Sequence, residues 1–453
     1  MMVYCGIDIG TSNVKAIVLA DDGGVLAVGA FSNSSLPAGG EQAKSYKGGD
    51  CWYRQFCRVM DYFHGQGVFE GQKVVCCVAC QGGSFILIDD EMNTLGQISL
   101  WTSGSGQSQA DKYLKHYSGE DFYRLTGWAP AGWMPIFKLK EMEFAEGEMV
   151  AFVSDYIYAR LTGELVTDIT SAQMTGLVDF EKGCWDESLV SWAGLYEEDL
   201  PEIEKEISVL FEDVSTEWGQ IDIVTSLHDQ YAAMNAVDLK AGKDVMLATG
   251  TAWVVNFRSE KPGYDSSCNV HPGRDIVTGG YGNISTMGAI GAGFDEVLKQ
   301  VGLDYDKLEG LEGQLKEMAM PTGAVNFDLE NISVQGEAAL QAVRDYMVWS
   351  SAVVRHNLDS LGLLGSLEEI LMTGGAGQSG VWAGIIADVC GVDVKVVIAD
   401  ELTAYGAAIT AARACGCDNV SKLSDIAETV IYKSERADEY KLWYEKFQKE
   451  LFE

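Results

Sequence analysis

The sequence is poor in basic residues, proline and histidine. It has 32 Lys+Arg against 67 Asp+Glu, and the resulting formal net charge of −35 excludes nucleic acids and anionic membranes as partners because like charges repel. Only 7 prolines stand against 51 glycines, which favours close backbone approaches over flexible linkers. None of the 5 histidines pairs with a cysteine or a carboxylate at metal-ligand spacing, so the sequence argues against a zinc site.

Long apolar runs are also absent. No run reaches the length of about 18 apolar residues that a membrane-spanning helix needs, and the first residues lack the pattern of a signal peptide. The 11 cysteines are odd in number and lack the spacing of a disulfide framework. Cys77 and Cys80 form a C-x-x-C pair that suits redox or metal chemistry, but buried thiols on opposite faces of a strand are the favoured interpretation. We therefore expect a cytoplasmic protein.

The length of 453 residues suits two or three domains. Strand–turn–strand text near residue 246 repeats the pattern of Gly6–Ala16, because Met246–Asn256 is also two apolar runs around a Gly-Thr turn. This repeat predicts two similar α/β domains. We expect the first over residues 1–237 and the second over residues 238–453.

Alternation of apolar and polar residues predicts the elements of each domain. Segment 196–217, which is dense in Glu and Asp, is expected to be a solvated surface. The last helix carries Tyr440, Trp443, Tyr444 and Phe447 on one face, and we expect it to pack back on the first domain. Strands are predicted at 3–9, 14–20, 25–31, 73–80, 84–89, 369–372 and 392–399, and helices at 340–361, 382–390 and 404–414.

The first motif with a chemical meaning is Asp8-x-Gly10-Thr11-Ser12, followed by Lys15. A carboxylate at a strand end orients a hydrated Mg²⁺, and the glycine and hydroxyl residues of the turn offer N–H groups to phosphate. Such a turn alone is more often a plain hairpin. Its second copy at Gly250-Thr251 strengthens the phosphate interpretation, because two such turns clamp a polyphosphate.

Two further motifs have both a chemical and a structural interpretation. Gly374-Gly375-Ala376-Gly377 joins a strand to a helix, where glycine-rich turns hold nucleotides, but a plain connection is equally compatible. Asp229, in His228-Asp229-Gln230, is placed to accept a proton from a hydroxyl group, while a helix N-cap is the structural alternative.

Taken together and in this order, these motifs resemble the FGGY family of carbohydrate kinases over nearly the whole chain. Gly6–Ser12 and Gly250-Thr251 resemble the family's two phosphate motifs, and His228-Asp229-Gln230 resembles its catalytic H-D-Q. Further matching segments are Gly40-Glu41-Gln42 with Trp52, Leu161–Glu164, Thr167-Asp168, Thr175–Asp179, Trp185, Leu200-Pro201, Gly374–Ser379, Ala387-Asp388 and Glu401–Ala408.

The resemblance implies two actin/hexokinase-like (ribonuclease H-like) domains flanking an ATP cleft. It implies ATP-dependent phosphorylation of a pentulose, a hexulose or a related polyol, with Asp229 as the general base and Mg²⁺ at Asp8. A homodimer is a further hypothesis. The residues that it places at ATP are Gly10, Thr11, Ser12, Lys15, Gly250, Thr251, Gly374, Gly375, Ala376 and Gln378, and those at the sugar are Glu41, Gln81, Trp101, Asp229 and Gln230.

The sequence departs from the family on the sugar side. Members that act on xylulose usually have Gln-Met-His-Gly where this chain has Gln81–Ser84, and an Asp and an Arg where Thr102–Gly106 follows Trp101. The phosphate and base motifs are retained, which favours a kinase with a changed substrate. Two alternatives stay open: an inactive sugar- or signal-binding regulator on the same scaffold, and an actin-like ATPase, which leaves the H-D-Q motif unexplained.

Overall fold

The computed structural model describes residues 1–33, 50–324, 337–399, 401–417, 420 and 427–452. The chain divides into two compact units. Unit 1 comprises Met1–Asp238, Glu260–Gly282 and Glu401–Ile426, and unit 2 comprises Leu239–Ser259, Asn283–Asp400 and Ala427–Glu453. Two segments that the sequence analysis assigned to the second domain therefore lie in unit 1, and the division after residue 237 stays a prediction.

Both units combine strands with helices. The strands are β1 (Met2–Ile9), β2 (Asn13–Ala20), β3 (Val25–Ser32), β4 (Lys73–Cys80), β5 (Phe85–Ile88), β6 (Thr94–Ser99), β7 (Met149–Phe152), β8 (Val166–Asp168), β9 (Val178–Asp179), β10 (Cys184–Trp185), β11 (Glu202–Glu204), β12 (Val209–Thr216), β13 (Gly219–Val224), β14 (Leu227–His228), β15 (Asp244–Thr249), β16 (Trp253–Ser259), β17 (Val270–Arg274), β18 (Tyr281–Thr286), β19 (Glu369–Gly374), β20 (Val394–Ile398) and β21 (Glu428–Tyr432).

The helices are α1 (Cys51–Gly65), α2 (Gln107–Leu114), α3 (Gly119–Thr126), α4 (Pro135–Leu139), α5 (Val153–Thr162), α6 (Ile169–Ala172), α7 (Glu187–Ala193), α8 (Asp229–Ala236), α9 (Ile290–Val301), α10 (Tyr305–Glu309), α11 (Glu312–Glu317), α12 (Glu337–Ser360), α13 (Gly380–Cys390), α14 (Leu402–Ala414) and α15 (Ala437–Phe452). None of those within the described residues has the length and apolar character that a bilayer crossing requires.

The main sheet of unit 1 has the strand order β12-β13-β4-β1-β2-β3, with β14 also paired to β4. Strand β1 runs parallel to β4 and antiparallel to β2. Its apolar side chains are buried, as expected for a central strand covered on both faces. One face packs against α1 and α5, where Trp52 and Tyr156 join the core, and the other face carries α8 and α14.

Helix α14 lies unusually close to β1 and α8 because all three have small residues at the contact. A Cβ atom on Gly6 would lie 2.0 Å from the carbonyl oxygen of Ala404, and one on Gly406 would lie 1.8 Å from that of Ala232. No larger residue fits at either glycine without moving the helix. The alanine- and glycine-rich text of α14 is therefore a packing requirement of unit 1.

The sheet of unit 2 repeats the central arrangement. Its strands include, in order, β18-β16-β15-β19-β20-β21, and β15 runs antiparallel to β16 and parallel to β19, as β1 does with β2 and β4. The repeat predicted from the sequence is therefore present in the strand pairing. In the first hairpin the last register pair is Ile9 with Val14, so four residues, Gly10–Asn13, lie between the partners. In the second it is Thr249 with Trp253, so three residues, Gly250–Ala252, lie between them.

Two expectations from the sequence concern the last helix and the acidic segment. Helix α15 belongs to unit 2, where Tyr440 and Tyr444 are buried and the Tyr440 hydroxyl accepts a hydrogen bond of 3.1 Å from Arg344 on α12; its packing on the first domain stays a prediction. The acidic segment 196–217 is not only a solvated surface, because its second half forms β12, paired with β13. The charged pair Glu212-Asp213 and the irregular register between Phe211 and Val214 suit such an edge strand.

The C-x-x-C pair lies in the interior of unit 1. Cys77 and Cys80 are buried free thiols in β4. The Cys77 thiol lies 3.3 Å from the carbonyl oxygen of Thr225, and the Cys80 thiol lies 3.7 Å from the hydroxyl of Ser154. The interpretation as buried thiols is confirmed.

Candidate active site

Three predicted site residues of unit 1 lie at the carboxyl ends of neighbouring strands: Asp8 is the second-last residue of β1, Gln81 follows β4 and Asp229 follows β14. Strand β4 lies parallel to both β1 and β14, and Ala79 is the register partner of Asp8 on one side and Leu227 on the other. Asp8, Gln81 and Asp229 therefore come together at the carboxyl ends of these central strands, here called the sheet edge. Parallel sheets bind ligands at this edge, beyond the carboxyl ends of their strands.

The turn Gly10–Asn13, here called the phosphate turn, is stabilised by hydrogen bonds from Asn33. Asn33 donates from its side-chain amide to the carbonyl oxygens of Gly10 (3.1 Å) and Thr11 (2.8 Å), and its backbone N–H donates to Ser12 at 3.0 Å. Gln55 donates in turn to the Asn33 amide oxygen at 2.7 Å. These bonds engage the carbonyl groups of the turn. Nothing in the sequence motif identified Asn33 or Gln55.

Thr11, Gln81 and Trp101 form one polar cluster in front of this turn. The Thr11 hydroxyl donates to Gln81 Oε1, and Trp101 Nε1 lies 3.1 Å from both of these oxygens. Gln81 is buried, and its Nε2 has no acceptor among the described residues. A buried donor without a partner costs free energy, so this amide is suited to a ligand oxygen.

The altered segment after Gln81 makes room for large neighbours. A Cβ atom on Gly82 would lie 2.6 Å from Met174 Cγ and 2.8 Å from His228 Cδ2, and one on Gly83 would lie 2.8 Å from Trp133 Cζ3. Gly83 also has φ of +76°, which residues with a side chain rarely adopt. At Gly83, where the family pattern has the histidine, Trp133 therefore fills the space beside the backbone, and at Gly82 Met174 and His228 do so.

Asp229 is the first residue of α8, and its side chain is 32% exposed. Its Oδ1 lies 3.3 Å from His228 Nε2 but is without a hydrogen-bond partner among the described residues. Gln230 follows it in the first turn of the helix. Asp229 is thus the first helical residue and not the N-cap that the structural alternative required, since His228 occupies the N-cap position. The Asp229 Oδ1 is left without a hydrogen-bond partner among the described residues.

The strand before Asp229 is fixed by the Thr167-Asp168 signature. Asp168 is fully buried and accepts from the Ser226 hydroxyl at 2.8 Å and from Thr170, while Thr170 accepts from the His228 backbone N–H at 2.8 Å. Burial raises the pKa of Asp168, and these hydrogen bonds oppose the rise. These hydrogen bonds therefore fix the residues that directly precede Asp229.

Asp8 has a strongly shifted acidity. Loss of surrounding water raises the pKa of its carboxyl to about 8, the charge of Asp229 adds to the rise, and Lys15 opposes it. Lys15 is the register partner of Asp8 on β2. The described residues contain no group of three or more His, Cys, Asp or Glu side chains arranged to hold a metal ion. A Mg²⁺ ion bound by one or two carboxylates together with phosphate oxygens and water needs no such group.

The glycine-rich motifs of unit 2 meet in one cavity, here called the Gly250 cavity, with a volume of about 480 Å³. Pairing of Thr249 with Gly374 joins the two strand ends, and Ala376 N donates to the Thr249 hydroxyl at 3.2 Å. Gly374 has φ of +92°, and a Cβ on it would lie 2.8 Å from the Thr249 carbonyl oxygen. Gly374 lies behind the wall, which is formed by Gly250, Thr251, Gly375, Ala376 and Gln378.

The rest of this wall is aromatic and acidic. Phe294 and Trp382 pack with ring centroids 4.4 Å apart, and Trp253 and Tyr305 also line the cavity. Four carboxylates line it, and no Lys or Arg does among the described residues. The sequence analysis did not predict the four carboxylates, because they lie on α9, α10 and α11, which carry no recognisable motif. The acidic side chains are Asp295, Asp306, Glu309 and Glu312.

Residues 3–235 match the N-terminal domain of the FGGY family of carbohydrate kinases, and residues 351–415 match the family's C-terminal domain. The chain belongs to the FGGY family of carbohydrate kinases. A rhamnulokinase of Yersinia pestis bv. Antiqua (strain Angola) is 25% identical over 188 residues, which are 40% of this chain and 39% of that protein. The chain thus matches only about two fifths of the length of this curated relative.

Solved structures share the fold over almost the full chain. The ligand-bound xylulose kinase from Lactobacillus acidophilus superposes with a TM-score of 0.82 at 18% identity, covering 99% of this chain and 97% of that one. Plasmodium falciparum glycerol kinase with ADP gives 0.80 at 16% identity, covering 100% and 99%. The predicted two-domain α/β fold is therefore confirmed. Of the predicted site residues, Glu41 lies outside the described residues.

Proposed function

We propose that this FGGY protein transfers the γ-phosphoryl group of ATP to a hydroxyl group of a neutral ketopentose, ketohexose or related polyol. The observation that carries the proposal is the meeting of Asp8, the phosphate turn and Asp229 at one sheet edge. Phosphoryl transfer depends mainly on positioning and on charge stabilisation, with little covalent chemistry for the protein to do. These three features supply such a site.

Asp229 acts as the general base in this proposal. Its unpartnered Oδ1 accepts the proton of the sugar hydroxyl as the hydroxyl oxygen forms its bond to the γ-phosphorus and the bond to ADP breaks. General-base catalysis of this kind contributes on the order of 10²–10⁴-fold in rate.

Asp8 holds the magnesium ion in this proposal. Burial raises the pKa of its carboxyl first and the charge of Asp229 adds to the rise, and a divalent cation bound there would stabilise the ionised carboxylate against both effects. Bound Mg²⁺ supplies neutralisation of the phosphate charge. The phosphate turn would bind phosphate oxygens through backbone N–H groups, while Asn33 holds the carbonyl groups of Gly10 and Thr11.

The nucleotide binds at the Gly250 cavity in this proposal. The aromatic side chains suit a purine ring, and the volume of about 480 Å³ lies in the range of small-molecule sites, roughly 300–1,000 Å³. The carboxylates on its wall are acceptors for amino and hydroxyl groups. The wall has no basic side chain among the described residues, so the phosphate charge depends on N–H groups and metal.

The sugar binds against Gln81, Trp101 and Trp133. Gln81 Nε2 offers an unused donor, and indole faces suit the C–H surfaces of a sugar. We infer a neutral substrate, since none of these three side chains carries a charge. The matched rhamnulokinases make 6-deoxyketohexoses a useful part of a substrate panel. The free cysteines support a reducing, cytoplasmic location, and the homodimer stays a prediction.

A coupled assay of ADP release tests the proposal. We expect turnover that depends on both Mg²⁺ and a sugar when ketopentoses, ketohexoses, deoxyketoses and polyols are screened, and a mass increase of one phosphoryl group in the active sugar. Asp229→Asn is the matched control, since it keeps the shape of the side chain. Sugar binding in calorimetry without sugar-stimulated turnover would instead favour the inactive regulator.

A further inference from the structure

Unit 2 contains a second cavity, here called the Arg344 cavity, of about 490 Å³. Basic side chains are scarce in this chain, with 32 against 67 acidic ones, yet four line this cavity. No family motif described above assigns a role to them. They are Lys316, Arg344, Lys433 and Arg436.

Arg344 is the unusual member of this set. It is only 3% exposed, and its Nη2 donates to the Tyr440 hydroxyl at 3.1 Å. Its Nε and Nη1 have no hydrogen-bond partner among the described residues, and no carboxylate there lies within 4.0 Å of it. Asp345, the next residue, interacts with the charge of Arg344 without a direct ion pair. A buried guanidinium with two unpaired nitrogens is costly, so this position is explained better by a ligand than by stability.

The carboxylates on the same wall are largely engaged elsewhere. Asp388 accepts from the backbone N–H groups of Glu435 (2.8 Å) and Arg436 (2.7 Å). The wall has three carboxylates, Glu312, Asp388 and Glu435, against four basic side chains. Two of the basic side chains are paired with carboxylates outside this wall, Lys433 with Asp393 and Arg436 with Glu439. The buried Arg344 is therefore the positive charge on which a ligand at this cavity depends.

We propose that the Arg344 cavity binds the phosphate group of a small phosphorylated metabolite. Guanidinium groups present several N–H donors at once to phosphate oxygens, and Lys316 and Arg436 line the same cavity. The eleven-residue helix α13 also starts on this wall with Gly380, where the helix dipole favours an anion. The volume exceeds that of a bare phosphate ion and leaves room for the organic part of a metabolite.

The cavity is connected to the Gly250 cavity through shared walls. Glu312 lines both cavities. At the start of α13, Ser379 lines the Gly250 cavity and Gly380 lines the Arg344 cavity. A ligand at Arg344 therefore contacts the helix start that shapes the Gly250 cavity. Binding at Arg344 does not depend on the proposed kinase activity, so failure of one leaves the other intact.

Titration calorimetry on the full chain tests the proposal with inorganic phosphate and with glycerol 3-phosphate at constant ionic strength. We expect saturable binding of both probes, weakened at least about tenfold by Arg344→Met and by Arg436→Gln. Lys441→Gln is the matched control, since Lys441 is an exposed cation of α15 outside the cavity, and it should bind as the wild type does.

Arg436→Gln is the variant that guards against misfolding, because Arg436 is partly exposed and its side chain pairs with Glu439 at the surface. Unchanged affinity in Arg436→Gln and Arg344→Met overturns the proposal. So does the absence of saturable binding in the wild type. Binding that is lost in Thr11→Val but kept in Arg344→Met assigns the phosphate to the phosphate turn and also overturns it.

Discussion

Asp8 lies close enough to Asp229 to be affected by its charge: loss of water and then this charge raise the pKa of the Asp8 carboxyl to about 8. The two residues lie at the carboxyl ends of strands that flank β4 on either side. A site with one carboxylate for a metal ion and one for a proton requires such proximity. The pairing of these strands creates it, and the repulsion is the energetic consequence.

The first prediction concerns the pH dependence of stability. The pKa of Asp8 is raised on folding, so between about pH 4 and pH 8 the folded protein holds a proton that the unfolded chain releases, and stability falls as the pH rises through this window. Asp8→Asn removes this loss. We expect the variant to gain on the order of 5 kcal/mol over the wild type at pH 8, relative to their difference at pH 4, because each unit of pKa shift corresponds to about 1.4 kcal/mol.

Thermal or urea unfolding of both proteins across this pH range measures the effect. Added MgCl₂ should narrow the gap at pH 8, because the ion stabilises the ionised carboxylate of the wild type alone. A difference between the two proteins that is independent of pH would contradict the assignment of this titration to Asp8.

The second prediction concerns Asp229. Asp229→Asn keeps the side-chain volume but removes the proton acceptor, so we expect kcat to fall by about 10²–10⁴-fold with little change in ATP binding. Steady-state kinetics and nucleotide titration measure the two quantities separately. Retention of wild-type kcat would show that another group takes the proton.

The third prediction concerns the indole N–H of Trp101, which lies 3.1 Å from both Thr11 Oγ1 and Gln81 Oε1. Trp101→Phe keeps an aromatic face but leaves these oxygens without that donor. We expect KM for the sugar to rise about threefold to tenfold, since one neutral hydrogen bond contributes about 0.5–1.5 kcal/mol. Trp101→Ala should raise it further, and equal effects of the two substitutions would assign the role to the ring instead.

The fourth prediction compares two glycines with positive φ. A Cβ atom on Gly83 (φ +76°) would lie 2.8 Å from Trp133, whereas one on Gly96 (φ +92°) would have no atom within 4 Å. Both Ala variants lose about 1–2 kcal/mol to the left-handed backbone, but only Gly83→Ala also displaces Trp133, at a further cost of about 1–3 kcal/mol. Urea unfolding measures the difference, and sugar binding should suffer in Gly83→Ala alone. Equal losses of stability would show that Trp133 does not confine Gly83.

Much of this architecture could be predicted from local sequence. The Asp8–Ser12 turn and its copy at Gly250 follow directly from apolar runs interrupted by glycine, and the paired hairpins appear where those runs predict them. Asn33, Gln55 and Trp133 could not be predicted, because their contacts join positions far apart in the chain. The acidic wall of the Gly250 cavity was missed for the same reason: its carboxylates resemble ordinary surface residues until the fold gathers them.

Helix α14 has a consequence for how the protein is made. It begins at Leu402 but covers β1 near Gly6, so one face of the first strand stays without its cover until most of the chain has been synthesised. Domains usually fold as units during synthesis, from the amino terminus onward. Here unit 1 is complete only after α14, one of the last helices, has been synthesised. Until then the nascent chain exposes an apolar sheet face of the kind that chaperones bind.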